Sequence, residues 1–145
     1  MKMKRKIFTS LFIILSFITY SQNSEIVINI SGLRSDKGKY LLYLYNNKKG
    51  FPNDVDKSIK TAKGSILNGI STIVLKDISD GEYAISVIHD ENGNGKMDTN
   101  FLGMPKEGVG VSNNAKGHFG SPSYEDSKFQ LNKKSLILNI TIKYL

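Results

Sequence analysis

The amino-acid sequence predicts an all-β protein, an antiparallel β-sandwich of about seven strands with a long glycine-rich loop. Three observations predict this fold. Apolar and polar residues alternate in several short segments, and this period of two is typical of half-buried strands. Turn residues separate these segments, and no window carries a sustained apolar stripe with the 3.6-residue period of a helix.

The first strands are predicted from the N-terminal half of the chain. Residues 25–31 place three isoleucines, Ile26, Ile28 and Ile30, on one face, which indicates a half-buried strand. Residues 39–46 (KYLLYLYN) are apolar on both faces and rich in β-formers, so they are predicted to form a central strand. Residues 58–67 are consistent with either an edge strand or a short helix.

The remaining strands are predicted further along the chain. Residues 72–75 form a short β-branched run, and residues 82–89 place Tyr83, Ile85, Val87 and His89 on one face. Residues 135–144 carry the clearest alternation. A short run at 128–131 precedes this last strand across three polar residues, which predicts a hairpin.

Two segments carry no strand period. Residues 46–57 are polar and are expected to form an exposed loop. Residues 101–127 hold five glycines and two of the three prolines. Because long irregular loops in compact domains tend to be functional or held in place by something, the second segment is a candidate for a functional region.

The N-terminal residues 1–21 have the layout of a secretory signal peptide. Four basic residues precede the apolar run 7–18, and small or polar residues follow. The run is too short to span a membrane, which needs about 20 residues, so no membrane span is expected after signal cleavage. Cleavage between Ser21 and Gln22 would leave residues 22–145 as one domain in the periplasm or outside the cell.

Composition excludes several function classes. The chain has no cysteine, which excludes disulfides, thiolate metal sites and lipoprotein processing. The formal net charge is +7, but four positive charges belong to residues 1–21. The remaining 16 basic and 13 acidic residues give a net charge of +3. A nucleic-acid partner is therefore not expected.

The most informative motif is an oxygen-rich loop at 90–98. Its spacing matches the calcium-loop pattern D-x-[DN]-x-[DN]-G, with Gly95 at the sharp turn. Side-chain or backbone oxygens would come from five predicted metal-ligating residues: Asp90, Asn92, Asn94, Lys96 (through its carbonyl) and Asp98. The cofactor predicted from this donor set is Ca²⁺, which prefers oxygen ligands and is plentiful outside cells.

The motif departs from an EF-hand where a bidentate Glu is expected, since Phe101 occupies that position. A distant acidic residue could supply the missing ligand, and four are candidates: Glu91, Glu107, Glu125 and Asp126. The alternative interpretation is a plain turn, because Asn-Gly occurs twice within this loop, at 92–93 and 94–95, and is a strong hairpin signal.

Catalysis is not expected. The two histidines, His89 and His118, belong to no recognisable motif, although His118 with Ser121 or Ser123 and Asp126 could be drawn as a triad. His89 is expected to be a packed or hydrogen-bonded residue at the edge of the core. The predicted function is an exported binding or accessory module with an unknown ligand or envelope partner. The alternatives are a small extracytoplasmic hydrolase and a metal-free structural envelope protein.

Three segments carry a family resemblance: 76–85 (KDISDGEYAI), 89–98 (HDENGNGKMD) and 102–110 (LGMPKEGVG), followed by Ser-Asn-Asn at 112–114. Together they resemble the exported bacterial family called domain of unknown function 2141. The stretch at 81–85 is also similar to transthyretin-like and carboxypeptidase-regulatory-like domains. That similarity implies an immunoglobulin-like or prealbumin-like sandwich. It does not extend to the Tyr-Arg-Gly-Ser ending of transthyretin-related hydrolases, so it does not imply their activity.

Overall fold

The computed structural model describes residues 24–132 and 135–145, so the predicted signal peptide lies outside the described residues. The described chain is mainly β, which confirms the predicted fold class. Its strands are β1 (Ser24–Ser31), β2 (Lys39–Tyr45), β3 (Lys60–Gly64), β4 (Ser71–Ile78), β5 (Gly81–Asp90), β6 (Gly108–Val111), β7 (Phe129–Leu131) and β8 (Leu136–Thr141).

Helical structure in the described ranges is short. Two 3-10 turns span Val55–Lys57 and Ser112–Asn114, and one helix, α1, spans Tyr124–Ser127. The side chain of Ser123 accepts a hydrogen bond from the backbone N–H of Asp126, which caps the start of α1. None of these helices is long and apolar enough to cross a membrane.

The strands form two sheets. The first has the order β4-β1-β8, with β1 antiparallel to β4 and parallel to β8. The second has the order β3-β2-β5-β6, and β7 also pairs with β5 near the beginning of that strand. The neighbours in the second sheet are antiparallel.

The main core contains residues from both sheets. The alternation in β1 buries its isoleucines, as predicted, and β2 and β5 contribute every second residue. The largest fully buried apolar side chains of this core are Ile26, Ile28, Ile30, Leu42, Leu44, Ile85, Val87, Leu131 and Ile140. Burial of this apolar surface is the dominant stabilising contribution to such a fold.

The opposite face of the second sheet, called here the outer face, carries a smaller apolar cluster. Leu41, Tyr43 and Tyr45 of β2 belong to it, because β2 is apolar on both faces. Phe51, from the loop predicted to be exposed, packs edge-on against Tyr45 and against Tyr124 of α1. The loop after β2 and the short α1 therefore cover part of the outer face.

Three details of the sequence prediction were wrong. Residues 128–131 and 135–144 do not form a hairpin, because β7 joins the second sheet and β8 joins the first. The pairing of β8 with β1 is parallel, whereas an antiparallel sandwich was predicted. The segment 101–127 is not wholly irregular, since β6 and α1 lie within it. The ambiguous segment 58–67 contains the strand β3.

Candidate metal centre

The predicted metal loop begins where β5 ends. Side chains of a strand alternate between its two faces, so Asp90 lies on the side opposite His89, towards the outer face. The Asp90 side chain is almost fully buried, with 1% exposure. Burial raises the pKa of Tyr43, and the nearby negative charge of Asp90 raises it further. The structure therefore holds a buried carboxylate near Tyr43, which belongs to the apolar cluster of the outer face.

The Asp90 carboxylate organises the loop that follows it. One of its oxygens accepts the backbone N–H of Asn94 at 3.1 Å, and the other accepts that of Gly95 at 2.9 Å. These bonds curl the chain back over the end of β5. Because each carboxylate oxygen has two lone pairs, Asp90 keeps acceptor capacity beyond these two bonds.

The structure brings the other predicted side chains together around Asp98. The amide of Asn92 donates to one carboxylate oxygen of Asp98, and the amide of Asn94 lies 3.0 and 3.1 Å from its two oxygens. Lys96 contributes a backbone N–H that donates to the Asn94 side-chain oxygen at 3.0 Å, while its own side chain is exposed. The spacing argument therefore identified residues that are neighbours in the fold.

Glu107 is the acidic residue that lies against this loop. Its carboxylate accepts the backbone N–H of Glu91 at 3.0 Å and that of Asp98 at 3.1 Å. It therefore ties the beginning of the loop to its end, and Glu107 is itself buried, with 5% exposure. The sequence alone could not distinguish Glu107 from the other three candidates, because Glu107 contacts a residue sixteen positions away, Glu91.

The other three acidic candidates bond elsewhere. Glu91 pairs with the Arg34 guanidinium and accepts the Ser35 hydroxyl. Glu125 pairs with Lys128, and Asp126 bonds with Ser123 at the start of α1. The hydrogen bond from Arg34 holds the pKa of Glu91 below its ordinary value, although partial burial acts in the opposite direction.

The charge balance at the loop is negative. In the described ranges the ion pairs join Arg34 to Glu91, and Lys128 to Glu82 and Glu125, so neither Asp90 nor Glu107 has a cationic side-chain partner. No three carboxylate, imidazole or thiol groups of the described chain are arranged to hold a metal ion. A cation here would therefore also need amide and backbone oxygens, which is the donor set predicted from the sequence.

His89 is buried and hydrogen-bonded, as predicted. Its side chain has no exposure, and its Nε2 lies 2.9 Å from the Lys37 carbonyl, to which it donates. Nδ1 therefore accepts the hydroxyl of Tyr144, at 2.6 Å. Both ring nitrogens are thus engaged. His118 is exposed in the loop before α1.

An open groove of about 1080 Å³ lies on the outer face beside the loop. Gly95, Lys96 and Met97 of the loop line it, together with residues of β5 and β6. The groove was not predicted, because segments far apart in the sequence build it.

Comparisons with known proteins place the chain in a family. Residues 28–139 match the model of a family described as an uncharacterized protein conserved in bacteria, DUF2141. No curated protein and no solved structure matches the chain. The match covers more than half of the sequence and includes the three segments that carry the resemblance. The chain therefore belongs to the bacterial family DUF2141.

Proposed function

We propose that this chain is an exported β-sandwich binding or accessory module whose 90–98 loop binds Ca²⁺. One observation carries the proposal. The buried carboxylate of Asp90 has no cationic side-chain partner in the described chain, and it lies at the start of a loop whose oxygen-bearing side chains converge on Asp98. Burying an unpaired carboxylate is costly, and a divalent cation would offset that cost.

The residues proposed to hold the ion are those predicted from the sequence. Asp90 and Asp98 would supply two carboxylates, which balance the charge of one Ca²⁺. Asn92 and Asn94 would supply amide oxygens, and Lys96 its backbone carbonyl. The two amides currently donate to Asp98. Rotating an amide group by half a turn exchanges the positions of its nitrogen and its oxygen. After this rotation, Asn92 and Asn94 would direct their oxygens towards a cation instead of donating to Asp98.

Glu107 is proposed as a positioning residue. It holds the backbone of Glu91 and Asp98 through two N–H groups, and this contact fixes the distance between the two ends of the loop. When bound, Ca²⁺ would supply a strong local positive charge that stabilises the loop. The chain's own contribution is the preformed curl around Asp90.

Two parts of the proposal rest on sequence. Export rests on the basic and apolar pattern of residues 1–21, and an immunoglobulin-like or prealbumin-like strand arrangement rests on the resemblance at 81–85. The proposal assigns no catalytic residue. It also assigns no nucleic-acid partner, because residues 1–21 account for four of the seven net positive charges and leave a net charge of +3.

The proposal is tested by calcium titration of the mature chain, beginning at Gln22, by isothermal calorimetry. We expect one site with a dissociation constant of about 10⁻⁴–10⁻³ M, since only two carboxylates contribute and the bidentate Glu is missing. Asp98→Asn should weaken binding strongly. Lys96→Ala should leave it unchanged because only its carbonyl is used. Absence of calcium binding by the folded parent chain would end the proposal.

A further inference from the structure

The groove on the outer face has the form of a ligand site. It is lined by residues of β2, β5 and β6 and of the segments 52–55, 95–105, 114–122 and 141–145. Its volume of about 1080 Å³ lies just above the roughly 300–1,000 Å³ typical of small-molecule pockets. The groove is thus large enough for an extended ligand of moderate size.

The groove presents an apolar surface to solvent. Large apolar side chains line it: Val55, Ile88, Met97, Leu102, Met104 and Val109. Leu102 and Met104 remain 69% and 46% exposed. Contiguous exposed apolar surface of this kind marks binding sites, because covering it removes unfavourable contact with water. The lining therefore favours a ligand with a hydrocarbon part.

The charge of the groove is positive. Lys96, Lys116 and Lys143 line it, and none of its other lining residues carries an acidic side chain. The ion pairs of the described ranges involve other residues, so these three ammonium groups are available to a ligand. An anionic group would complement them, whereas a cationic one would be repelled.

We propose that the groove binds a linear aliphatic carboxylate, with the hydrocarbon chain on the apolar lining and the carboxylate beside the lysines. This inference rests on the proposed role as a binding module and names its ligand class. It does not rest on calcium. A single molecule is favoured over a membrane surface, because the most exposed aromatic side chains, Phe101 and Phe119, are absent from the groove lining.

The charge part of the proposal is tested with three probes of equal chain length. Calorimetry with the mature chain below the micelle concentration should give one saturable site for dodecanoate, weaker binding of dodecanol and none of dodecylammonium. Charge reversal at Lys116 or Lys143 should weaken dodecanoate binding about fivefold each, the upper range for exposed ion pairs. Lys63→Glu, on the exposed edge strand β3, is the matched control and should change nothing. Equal affinity for dodecanoate and dodecylammonium would overturn the proposal.

The apolar part is tested with two neighbouring residues. Leu102 lines the groove and Phe101 does not, although both are exposed. Leu102→Ser should weaken dodecanoate binding, and Phe101→Ser should not. Circular dichroism of both variants verifies the fold. If the chain fails to bind dodecanoate but binds phosphatidylglycerol vesicles through Phe101, the surface is a membrane-docking site and the proposal is wrong.

Titrations in calcium and in chelator separate this inference from the proposed metal loop. Dodecanoate binding that persists in chelator, in a chain that binds no calcium, would support the groove and refute the metal loop. Calcium binding that depends on Asp98, in a chain that does not bind dodecanoate, would refute the groove alone.

Discussion

The dipeptide Asn-Gly occurs in two regions of this molecule that look alike locally and differ in burial. At Asn68-Gly69, the Asp36 carboxylate accepts both backbone N–H groups, at 2.9 and 2.8 Å. At Asn94-Gly95, the Asp90 carboxylate does the same, at 3.1 and 2.9 Å. Asp36 is exposed to water, whereas Asp90 is 1% exposed.

The backbone around the two dipeptides also differs. Asn68 and Gly69 both have positive φ, 54° and 71°, and Leu67 and Ile70 exchange two backbone hydrogen bonds across them. This is a two-residue hairpin turn, the arrangement that Asn-Gly favours, and it joins β3 to β4. At the second dipeptide only Gly95 has a positive φ, and the Asn94 side-chain amide donates to the Asp98 carboxylate.

This comparison indicates that burial of the carboxylate distinguishes the two Asn-Gly regions. Water solvates Asp36, so its two hydrogen bonds suffice to close a turn. Asp90 loses that solvation, and two N–H groups replace only part of it. The same local pattern is therefore a turn at one place and a proposed cation site at the other.

The largest expected effect is that calcium stabilises the chain through Asp90 and the 90–98 loop, and not through Asp36 and the Asn68-Gly69 turn. Calcium at a hundredfold excess over its dissociation constant should raise the free energy of unfolding by about 2.7 kcal/mol. Asp90→Ala should lose this increase, whereas Asp36→Ala should retain it. Thermal unfolding in calcium and then in chelator measures both.

Asp98→Asn is the second variant for this test, because Asp90→Ala removes a buried group and can fail to fold. It keeps the size of the side chain and removes one proposed ligand charge. An equal calcium increase in Asp36→Ala and Asp98→Asn would contradict the contrast between the two regions.

Alanine substitution at Gly69, in the hairpin turn, and at Gly95, in the 90–98 loop, should have different effects on stability. Both have positive φ, which costs an L residue about 1–2 kcal/mol. A Cβ at Gly69 would also lie 2.7 Å from the Leu33 carbonyl oxygen, whereas at Gly95 it would meet nothing within 4 Å. Gly69→Ala should therefore destabilise the chain more than Gly95→Ala, by about 1 kcal/mol or more. Urea unfolding in chelator measures the difference, and equal costs would contradict it.

Removing the contacts of Glu107 should weaken calcium binding without removing a proposed ligand. Glu107→Ala leaves the N–H groups of Glu91 and Asp98 without their acceptor, and we expect a loss of about tenfold in affinity, near 1.4 kcal/mol. Glu107→Gln keeps one acceptor oxygen and should recover part of the loss. Glu125→Gln, on α1, is the control. If Gln and Ala weaken binding equally, Glu107 acts through its charge alone.

Much of the fold could be predicted from local pattern. The alternation in 25–31 and 82–89 predicted β1 and β5, and the two apolar faces of 39–46 predicted a central strand, since burial follows the period of the side chains. In β6, glycine occupies every second position of Gly108–Val111, which removes the apolar alternation that would have revealed the strand. The three-residue β7 is too short to carry a period.

The features that the sequence did not predict depend on contacts between residues far apart in the chain. Parallel pairing of β8 with β1 joins residues about 110 positions apart, such as Ile28 and Leu138, and no local pattern encodes it. The residues of the 90–98 loop could be expected to lie together because they are contiguous in sequence, and their binding of Ca²⁺ stays a prediction. Glu107 was one of four candidates that the sequence could not distinguish, and the groove was missed, because the fold alone brings these residues together.

The smallest expected effect is the loss of stability at acidic pH that comes from Asp36 at the Asn68-Gly69 turn. The backbone N–H groups of Gly69 and Asn68 lower the pKa of Asp36, since they stabilise its ionised form. The unfolded chain has an Asp pKa of about 3.9, so this contribution to stability is present above that pH and is lost as the pH falls through the folded value. Carboxyl NMR should show Asp36 titrating below about 3.9. Asp36→Asn should make stability less dependent on pH in that acidic range, and an unchanged acid profile would mean that the Asn68-Gly69 turn closes without help from the charge.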